Sequence, residues 1–247
     1  MPKQTKIIMG MPITVEIIDK VASSVFVDVF DYFSAIDKRY STYKKSSEIS
    51  QINGGLPQLK WSTEMKTVFD LCEQTKQQTN GYFDIYHNDR LDPSGLVKGW
   101  SIQNAAQLLL EIGVENFYIE AGGDIQAHGK NASDEPWRVG IRNPFNINEI
   151  IKTLVISGEG VATSGTYIRG QHIYNPHSPN SDINEVKSLT VVGPNIYEAD
   201  RFATAAFAMG KKGIGFIEST GGLEGYMVDD AQIATYTSGF KRYQADV

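Results

Sequence analysis

Segments with helical hydrophobic spacing come mainly early in this chain, and that order strongly restricts its possible folds. Residues 19–40 place apolar side chains at helical spacing, and a second helix is predicted from a Ser62 cap to about residue 79. A third is predicted over 101–112, opened by Gly99, and a fourth over 199–209. Residues 41–53 are polar and are predicted to form a loop.

Strand patterns occupy mainly the second half of the chain. The segments predicted to be β-rich are 7–18, 117–121, 137–141, 151–157, 167–174, 188–192, 226–228 and 233–236. A parallel sheet with helical crossovers requires regular alternation of strands and helices, which is missing here. The pattern therefore predicts an α+β fold. Because no linker and no repeat of about 20–50 residues is visible, we predict a single domain over residues 1–247.

Charge and motif content exclude several classes of function. The 247 residues carry 23 Lys and Arg against 29 Asp and Glu, a net charge of −6, which argues against nucleic-acid binding. The single cysteine, Cys72, allows no internal disulfide and is predicted to be a buried, inert thiol. The dinucleotide, P-loop and nucleophile-elbow motifs are absent. No signal peptide, lipoprotein cysteine or transmembrane run is visible, so the expected location is the cytoplasm.

Two glycine-containing segments are candidates for phosphate binding. Residues 92–100, with Lys98, lead into a predicted helix, and a helix N-terminus offers free N–H groups to an anion. Taken alone, this segment is better explained by a plain turn before the helix. Residues 118–125 read as a strand that ends in Gly122-Gly123-Asp124, for which a tight turn is the better explanation when the segment is taken alone.

Two further segments carry groups suited to catalysis or metal binding. His172 lies on a short predicted strand, where a lone histidine is more often structural than catalytic. Asp200 and Thr204 are four residues apart on one helical face, and their hard oxygens suit Mg²⁺ better than Zn²⁺. The alternative is that Asp200 caps the helix and Thr204 packs.

In their order along the chain, these segments resemble the ApbE family, the FAD:protein FMN transferases. The matching motifs are Met9-Gly10, Ser41-Thr42-Tyr43, Ser47-Glu48-Ile49 with Asn53, Gly81-Tyr82-Phe83-Asp84-Ile85, 92–99, Gly122-Gly123-Asp124, Ala162-Thr163-Ser164-Gly165, His172-Ile173 and Ala199-Asp200 with Ala203-Thr204. The resemblance implies an α+β fold with two packed antiparallel-type sheets and flanking helices, similar to the T-fold.

The resemblance also implies roles for individual residues. Asp200 and Thr204 would bind a catalytic Mg²⁺, with backbone oxygen from around Gly95 and with Ala203 in the same cluster. His172 would be the base that activates the hydroxyl of a Thr or Ser on an acceptor protein. The FAD site would be lined by Met9, Tyr43, Tyr82, Phe83, Asp84, Asp92, Lys98 and Ile173.

After His172 the chain departs from the family's usual His-Ile-x-Asp-Pro-x-Thr-Gly. Asn175 stands at the Asp position, and the Thr-Gly pair is lost. Two alternatives to flavin transfer therefore stay open. One is an FAD pyrophosphatase with water as the acceptor, and the other is a flavin-binding or storage protein without chemistry.

Overall fold

The computed structural model describes residues 3–166, 173–179 and 181–245. Eight of its strands form one sheet in the order β1-β2-β5-β6-β9-β10-β11-β12, and neighbouring strands are antiparallel throughout. The twelve strands of the described residues are β1 (Lys3–Ile8), β2 (Met11–Ile17), β3 (Tyr86–His87), β4 (Arg90–Leu91), β5 (Phe117–Ala121), β6 (Asp124–His128), β7 (Trp137–Asn143), β8 (Asn146–Ile156), β9 (Gly160–Gly165), β10 (Val186–Gly193), β11 (Glu224–Asp229) and β12 (Ala234–Tyr236).

Helices cover one face of this sheet. The six α-helices of the described part are α1 (Ser24–Tyr40), α2 (Glu48–Asn53), α3 (Thr63–Gln78), α4 (Ser94–Glu111), α5 (Ile196–Ala208) and α6 (Gly213–Ser219). Phe30 and Phe33 of α1, Phe207 of α5 and Phe117 of β5 are buried together in the core between the helices and the sheet. At about 25 cal/mol per Å² of apolar surface, such aromatic burial supplies the main stabilisation of the layer.

On the opposite face of the sheet, the hairpin of β7 and β8 forms a separate hydrophobic core with the sheet residues. Neighbouring residues along a strand point to opposite faces, so Ala162 joins the helical core while Val161 joins the core that contains Trp137 and Leu154. The α+β class and the antiparallel sheets predicted from the sequence are confirmed. The β7–β8 hairpin is a separate two-stranded sheet, and β3 with β4 forms another in the described residues.

A third core holds α2 and α3 beside the end of α1. Ile49 and Met65 are fully buried here with Phe83 and Leu96, and Cys72 belongs to the same group. Burial raises the pKa of the Cys72 thiol to about 12, in agreement with the predicted buried thiol. This core supports the segment from residue 82 to 96, which lines the candidate site described below.

Several boundaries predicted from the sequence are wrong. Helix α4 begins at Ser94, not near residue 101, so Gly95 and Gly99 are helical. Residues 48–53 form α2 within the predicted loop, because the Ser47 hydroxyl accepts the Ser50 N–H and caps the turn. Strands β3, β4, β6 and β9 and helix α6 were not predicted.

Other predicted elements hold. Ser62 caps α3 as expected by accepting the Met65 N–H, and the helix runs over Thr63–Gln78. Helix α5 starts at Ile196, three residues before the prediction, where Asn195 is the cap. Ile173 and Tyr174 are not in a strand, and the rest of the predicted strand over 167–174 lies outside the described residues. No helix in the described ranges is long and apolar enough to cross a membrane.

Candidate active site

A cavity of about 820 Å³ opens where the start of α4, the face of α5 and the end of β9 meet. Its walls also include the loop after α1 and residues 173–176. Small-molecule sites in proteins commonly enclose about 300–1,000 Å³, so this cavity has room for a ligand of nucleotide size. Ser94 and Gly95, the first two residues of α4, line it, so the positive end of an 18-residue helix faces the cavity.

Two carboxylates and one ammonium group form a buried cluster at the cavity. Lys98 Nζ donates a hydrogen bond to Asp124 Oδ2 and lies 3.1 Å from Asp200 Oδ1. Asp124 and Asp200 are only 1% and 2% exposed. When both acids are ionised, the cluster therefore holds two negative charges against one positive charge, in a place where water screens them poorly.

Their environment changes how readily these groups ionise. Burial raises the pKa of Asp200 to about 7, opposed by the neighbouring Lys98 ammonium and reinforced by the Asp124 charge. Burial disfavours the charged form of Lys98, but the two carboxylates more than compensate and hold its pKa above the usual range. Perturbed acid groups facing a cavity are typical of functional sites.

Backbone geometry brings the members of this cluster together. Gly122 and Gly123, with φ of +61° and +97°, form the β5–β6 turn that places Asp124 at the start of β6. Helix α4 passes close to α5 at Gly99, whose N–H donates to Asp200 Oδ2 at 2.8 Å. A Cβ on Gly99 would lie 2.6 Å from the Cβ of Asp200, so only glycine fits there without a shift.

We expect Gly99→Ala to lower the free energy of unfolding by up to about 2 kcal/mol. Overpacking typically costs about 1–3 kcal/mol, and alanine returns up to about 1 kcal/mol of helix propensity. Gly215→Ala is the matched control, because Gly215 is exposed in α6 and nothing lies within 4 Å of a Cβ there. Urea unfolding of both variants tests this. If Gly99→Ala is as stable as Gly215→Ala, the close approach of α5 to Gly99 is contradicted.

Oxygen donors extend the cluster along α5. Thr204 lies one turn after Asp200, and its Oγ1 is 3.5 Å from the carbonyl oxygen of Gly95. No three His, Cys, Asp or Glu side chains in the described residues group closely enough to hold a metal ion. A cation at this place would therefore need the hydroxyl and the carbonyl as well as the Asp200 carboxylate.

Aromatic side chains form another wall. Tyr174 stacks on His87 with ring centroids 3.8 Å apart, and its hydroxyl donates to the carbonyl oxygens of Asp84 and Tyr86 at 2.7 and 3.1 Å. These contacts fix residues 173–176 to the loop before α4. The wall therefore offers flat apolar faces beside a polar, charged floor.

The sequence of this chain matches one protein family over most of its length. The sequence profile of the ApbE family matches residues 9–89 and 86–227, which is most of the chain. The chain belongs to the ApbE family. It is 30% identical over 163 residues to the FAD:protein FMN transferase of Vibrio cholerae, a match covering 62% of this chain and 47% of that protein. The FAD:protein FMN transferase of Salmonella typhimurium is 27% identical over 154 residues, covering 59% and 43%.

Solved structures of ApbE proteins share the fold. The flavin transferase ApbE from Vibrio cholerae superposes with a TM-score of 0.86 at 22% identity, covering 98% of both chains. The ApbE protein from Thermotoga maritima gives 0.88 at 18% identity, covering 99% of both. By sequence, the chain spans about half the length of the curated relatives it matches.

Most residues assigned from the ApbE resemblance lie around this one cavity. The assigned residues that line it are Tyr43, Tyr82, Phe83, Asp84, Asp92, Gly95, Lys98, Ile173, Asp200 and Thr204. Met9 and Ala203 do not line it: Met9 packs between two of the cores, and the side chain of Ala203 is fully buried in the helical core. His172 lies outside the described residues.

Asp124 is the member of the cluster to which the sequence argument gave no role. The sequence shows two glycines and an acid after a predicted strand. Taken alone, that pattern is better explained by a tight turn. The structure shows both: the glycines make the turn, and the acid pairs with Lys98. An acid directly after a two-glycine turn, on an ApbE motif, was the signal that the sequence offered.

Proposed function

We propose that this protein transfers the FMN half of FAD to a Thr or Ser hydroxyl of an acceptor protein, with Mg²⁺, and releases AMP. The acceptor oxygen would attack the FMN phosphorus, the pyrophosphate bond would break, and AMP would leave with the bridging oxygen. The observation that carries the proposal is the Lys98–Asp124–Asp200 cluster beside the N-terminus of α4, in a cavity of nucleotide size. The relatives named FAD:protein FMN transferase support it.

The charge of the cluster favours a cation in the bound state. Lys98 is already paired with two carboxylates, so the cluster has an excess negative charge and would repel a pyrophosphate on its own. The Asp200 carboxylate, the Thr204 hydroxyl and the Gly95 carbonyl are oxygen donors of the kind that Mg²⁺ accepts. When bound, Mg²⁺ supplies charge neutralisation and Lewis acidity at the phosphate oxygens.

Side-chain hydrogen bonds hold the start of α4 at the cavity. The loop before α4 is held by Asn53, whose side chain exchanges two hydrogen bonds with the backbone of Leu91 at 2.8 and 2.9 Å. Asp92 Oδ1 accepts the Ser94 N–H and so fixes the first turn of α4 at the cavity. These contacts hold the phosphate-facing helix end in place before a ligand arrives, which lowers the ordering cost of binding.

The proposal is tested by co-expression with candidate acceptor proteins and mass spectrometry for an added FMN. Transfer should require FAD and Mg²⁺, should stop with a chelator, and should not occur when FMN replaces FAD. Free FMN formed without any acceptor would identify a pyrophosphatase instead. Binding of FAD without Mg²⁺-dependent turnover would identify a flavin-binding protein.

The Tyr43 ring is expected to stack on the adenine of FAD. Tyr43 is 96% exposed at the cavity and has no burial to lose, so its replacement leaves the core intact. Stacking contributes about 1–3 kcal/mol per base, so Tyr43→Ala should weaken FAD binding by roughly tenfold or more.

FMN lacks the adenine, and its affinity should barely change in the same variant. Tyr43→Phe keeps the flat ring and should bind FAD like the wild type. Flavin fluorescence titrations of both variants with both ligands make the comparison. Equal losses for FAD and FMN would place Tyr43 away from the adenine.

A further inference from the structure

Asp124 occupies an unusual position for a carboxylate that has no assigned role. It is 1% exposed, and each of its oxygens has a partner: Oδ2 accepts from Lys98 Nζ, and Oδ1 accepts from the Thr163 N–H at 3.1 Å. Burying a charge this deeply is costly unless it is paired and hydrogen-bonded, as Asp124 is. Asp124 is absent from the residues that line the cavity, so a direct contact with a ligand does not explain it.

Lys98 connects Asp124 with Asp200. The lysine ammonium hydrogen-bonds to Asp124 and lies 3.1 Å from Asp200 Oδ1. If Asp124 carried no charge, the ammonium would have a single carboxylate partner, Asp200, and the two would form a closed, neutral ion pair. A divalent cation would then have to displace the lysine from Asp200 in order to use that carboxylate.

We propose that Asp124 is a positioning residue that acts as the counter-ion of Lys98 and thereby keeps the Asp200 carboxylate available to a divalent cation. This inference rests on the proposed function, because it concerns the same cation. The Asp124–Lys98 pair cancels its own charge, so an ionised Asp200 carries a negative charge that a bound cation can neutralise. The Thr163 N–H holds the Asp124 carboxylate from the other side.

Two variants separate this role from a structural one. Asp124→Asn keeps the shape of the side chain but leaves Lys98 to Asp200 alone. Lys98→Met/Asp124→Asn removes both charges of the pair, so Asp200 again carries the single uncompensated charge. The matched control is Lys211→Met/Asp229→Asn, which removes another Lys–Asp pair, with Nζ and Oδ2 2.9 Å apart, away from the residues that line the cavity.

The probe is Mg²⁺ alone, titrated calorimetrically into flavin-free protein. Residues that support metal ligands typically change metal affinity by about 10–100-fold, so Asp124→Asn should weaken Mg²⁺ binding by about tenfold or more. The double variant Lys98→Met/Asp124→Asn should return to within about threefold of the wild type, a difference of under 1 kcal/mol. The control pair should bind Mg²⁺ as the wild type does.

Each other outcome overturns the inference. Wild-type affinity in Asp124→Asn would show that the lysine does not compete for Asp200. A double variant as weak as the single one would mean that Asp124 acts on the metal or the fold without Lys98. If the melting curve shows that Asp124→Asn does not fold, the double variant Lys98→Met/Asp124→Asn tests the proposal by itself. Loss of Mg²⁺ binding in that double variant would contradict the proposal.

The proposed function fails separately from this inference. Absence of Mg²⁺ binding to the wild-type protein would overturn both the metal assignment and the role of Asp124. Mg²⁺-dependent flavin transfer together with unchanged Mg²⁺ affinity in Asp124→Asn would overturn the role of Asp124 alone. Flavin transfer is measured on the wild type by mass spectrometry of the acceptor, so the two results are independent.

Discussion

If the proposed function is correct, Asp200→Ala is expected to abolish the Mg²⁺-dependent release of AMP from FAD, with a loss of about 10³-fold or more. A metal acting as a Lewis acid contributes several kcal/mol to such a reaction, and each 1.36 kcal/mol is a factor of about ten in rate. Asp200 is the only carboxylate among the three donors that we assign to the cation, so its removal leaves two neutral oxygens. Asp200→Asn should lose nearly as much, although it keeps the shape of the side chain.

Asp200 is also part of the packing, so stability has to be measured beside activity. Its Oδ2 accepts the Gly99 N–H at 2.8 Å, and its replacement by Ala leaves that donor and the Lys98 ammonium with one partner fewer. Asp229→Asn is the matched control, since Asp229 is a buried acid paired with Lys211 and does not line the cavity. Thermal melting and AMP release are compared in all three variants.

Thr204→Val and Thr204→Ala should show a smaller loss than Asp200→Ala, because a neutral hydroxyl contributes less to a cation than a carboxylate does. The order of the losses is therefore part of the prediction. Wild-type Mg²⁺-dependent activity in a folded Asp200→Ala protein would remove Asp200 from the metal site. A larger loss for Thr204 than for Asp200 would do the same.

Local signals in the sequence were sufficient for much of the scaffold. The apolar spacing of residues 19–40 predicted a helix that runs over Ser24–Tyr40, and the Ser62 cap fixed the start of α3. Both features depend on neighbours within a few residues, which a single sequence displays directly. The α+β class followed from the absence of alternating strands and helices, whereas the antiparallel sheets were implied by the ApbE resemblance.

Tertiary contacts caused the errors. Gly95 and Gly99 weaken helix propensity, so the sequence suggested a loop there and a helix start near residue 101. In the structure both are helical. Position 99 requires a glycine because α5 approaches it closely at Asp200. That approach joins residues about a hundred positions apart, and no local pattern reports it.

The cluster at the cavity illustrates the same limit. Lys98 and Asp200 were assigned through the family resemblance, whereas Asp124 was explained by its turn. A pairing between Lys98 and Asp124 depends on how β6 lies against α4, which the sequence pattern does not specify. Roles were thus assigned from the sequence to two members and none to the third, although all three are on matching motifs.

His172→Ala is expected to slow flavin transfer by about 10²–10⁴-fold while leaving FAD binding largely intact. A Thr or Ser hydroxyl is a poor nucleophile near neutral pH, and loss of the general base that activates it typically has an effect of this size. Histidine suits this role because its ordinary pKa lies near the working pH. Ile173, the next residue in sequence, lines the cavity, which supports a role for this segment in the site.

His128→Ala is the matched control, because His128 is at the end of β6 and does not line the cavity; its Nδ1 is 2.6 Å from the Glu115 carbonyl oxygen. FAD affinity is measured by fluorescence with Mg²⁺ present, and transfer by mass spectrometry of the acceptor, on the same preparations. Binding retained with slow transfer is the signature of a lost base, because the base acts on the acceptor hydroxyl and not on FAD. Unimpaired transfer in His172→Ala would exclude His172 from catalysis, and parallel losses of affinity and rate would make it a residue that positions FAD.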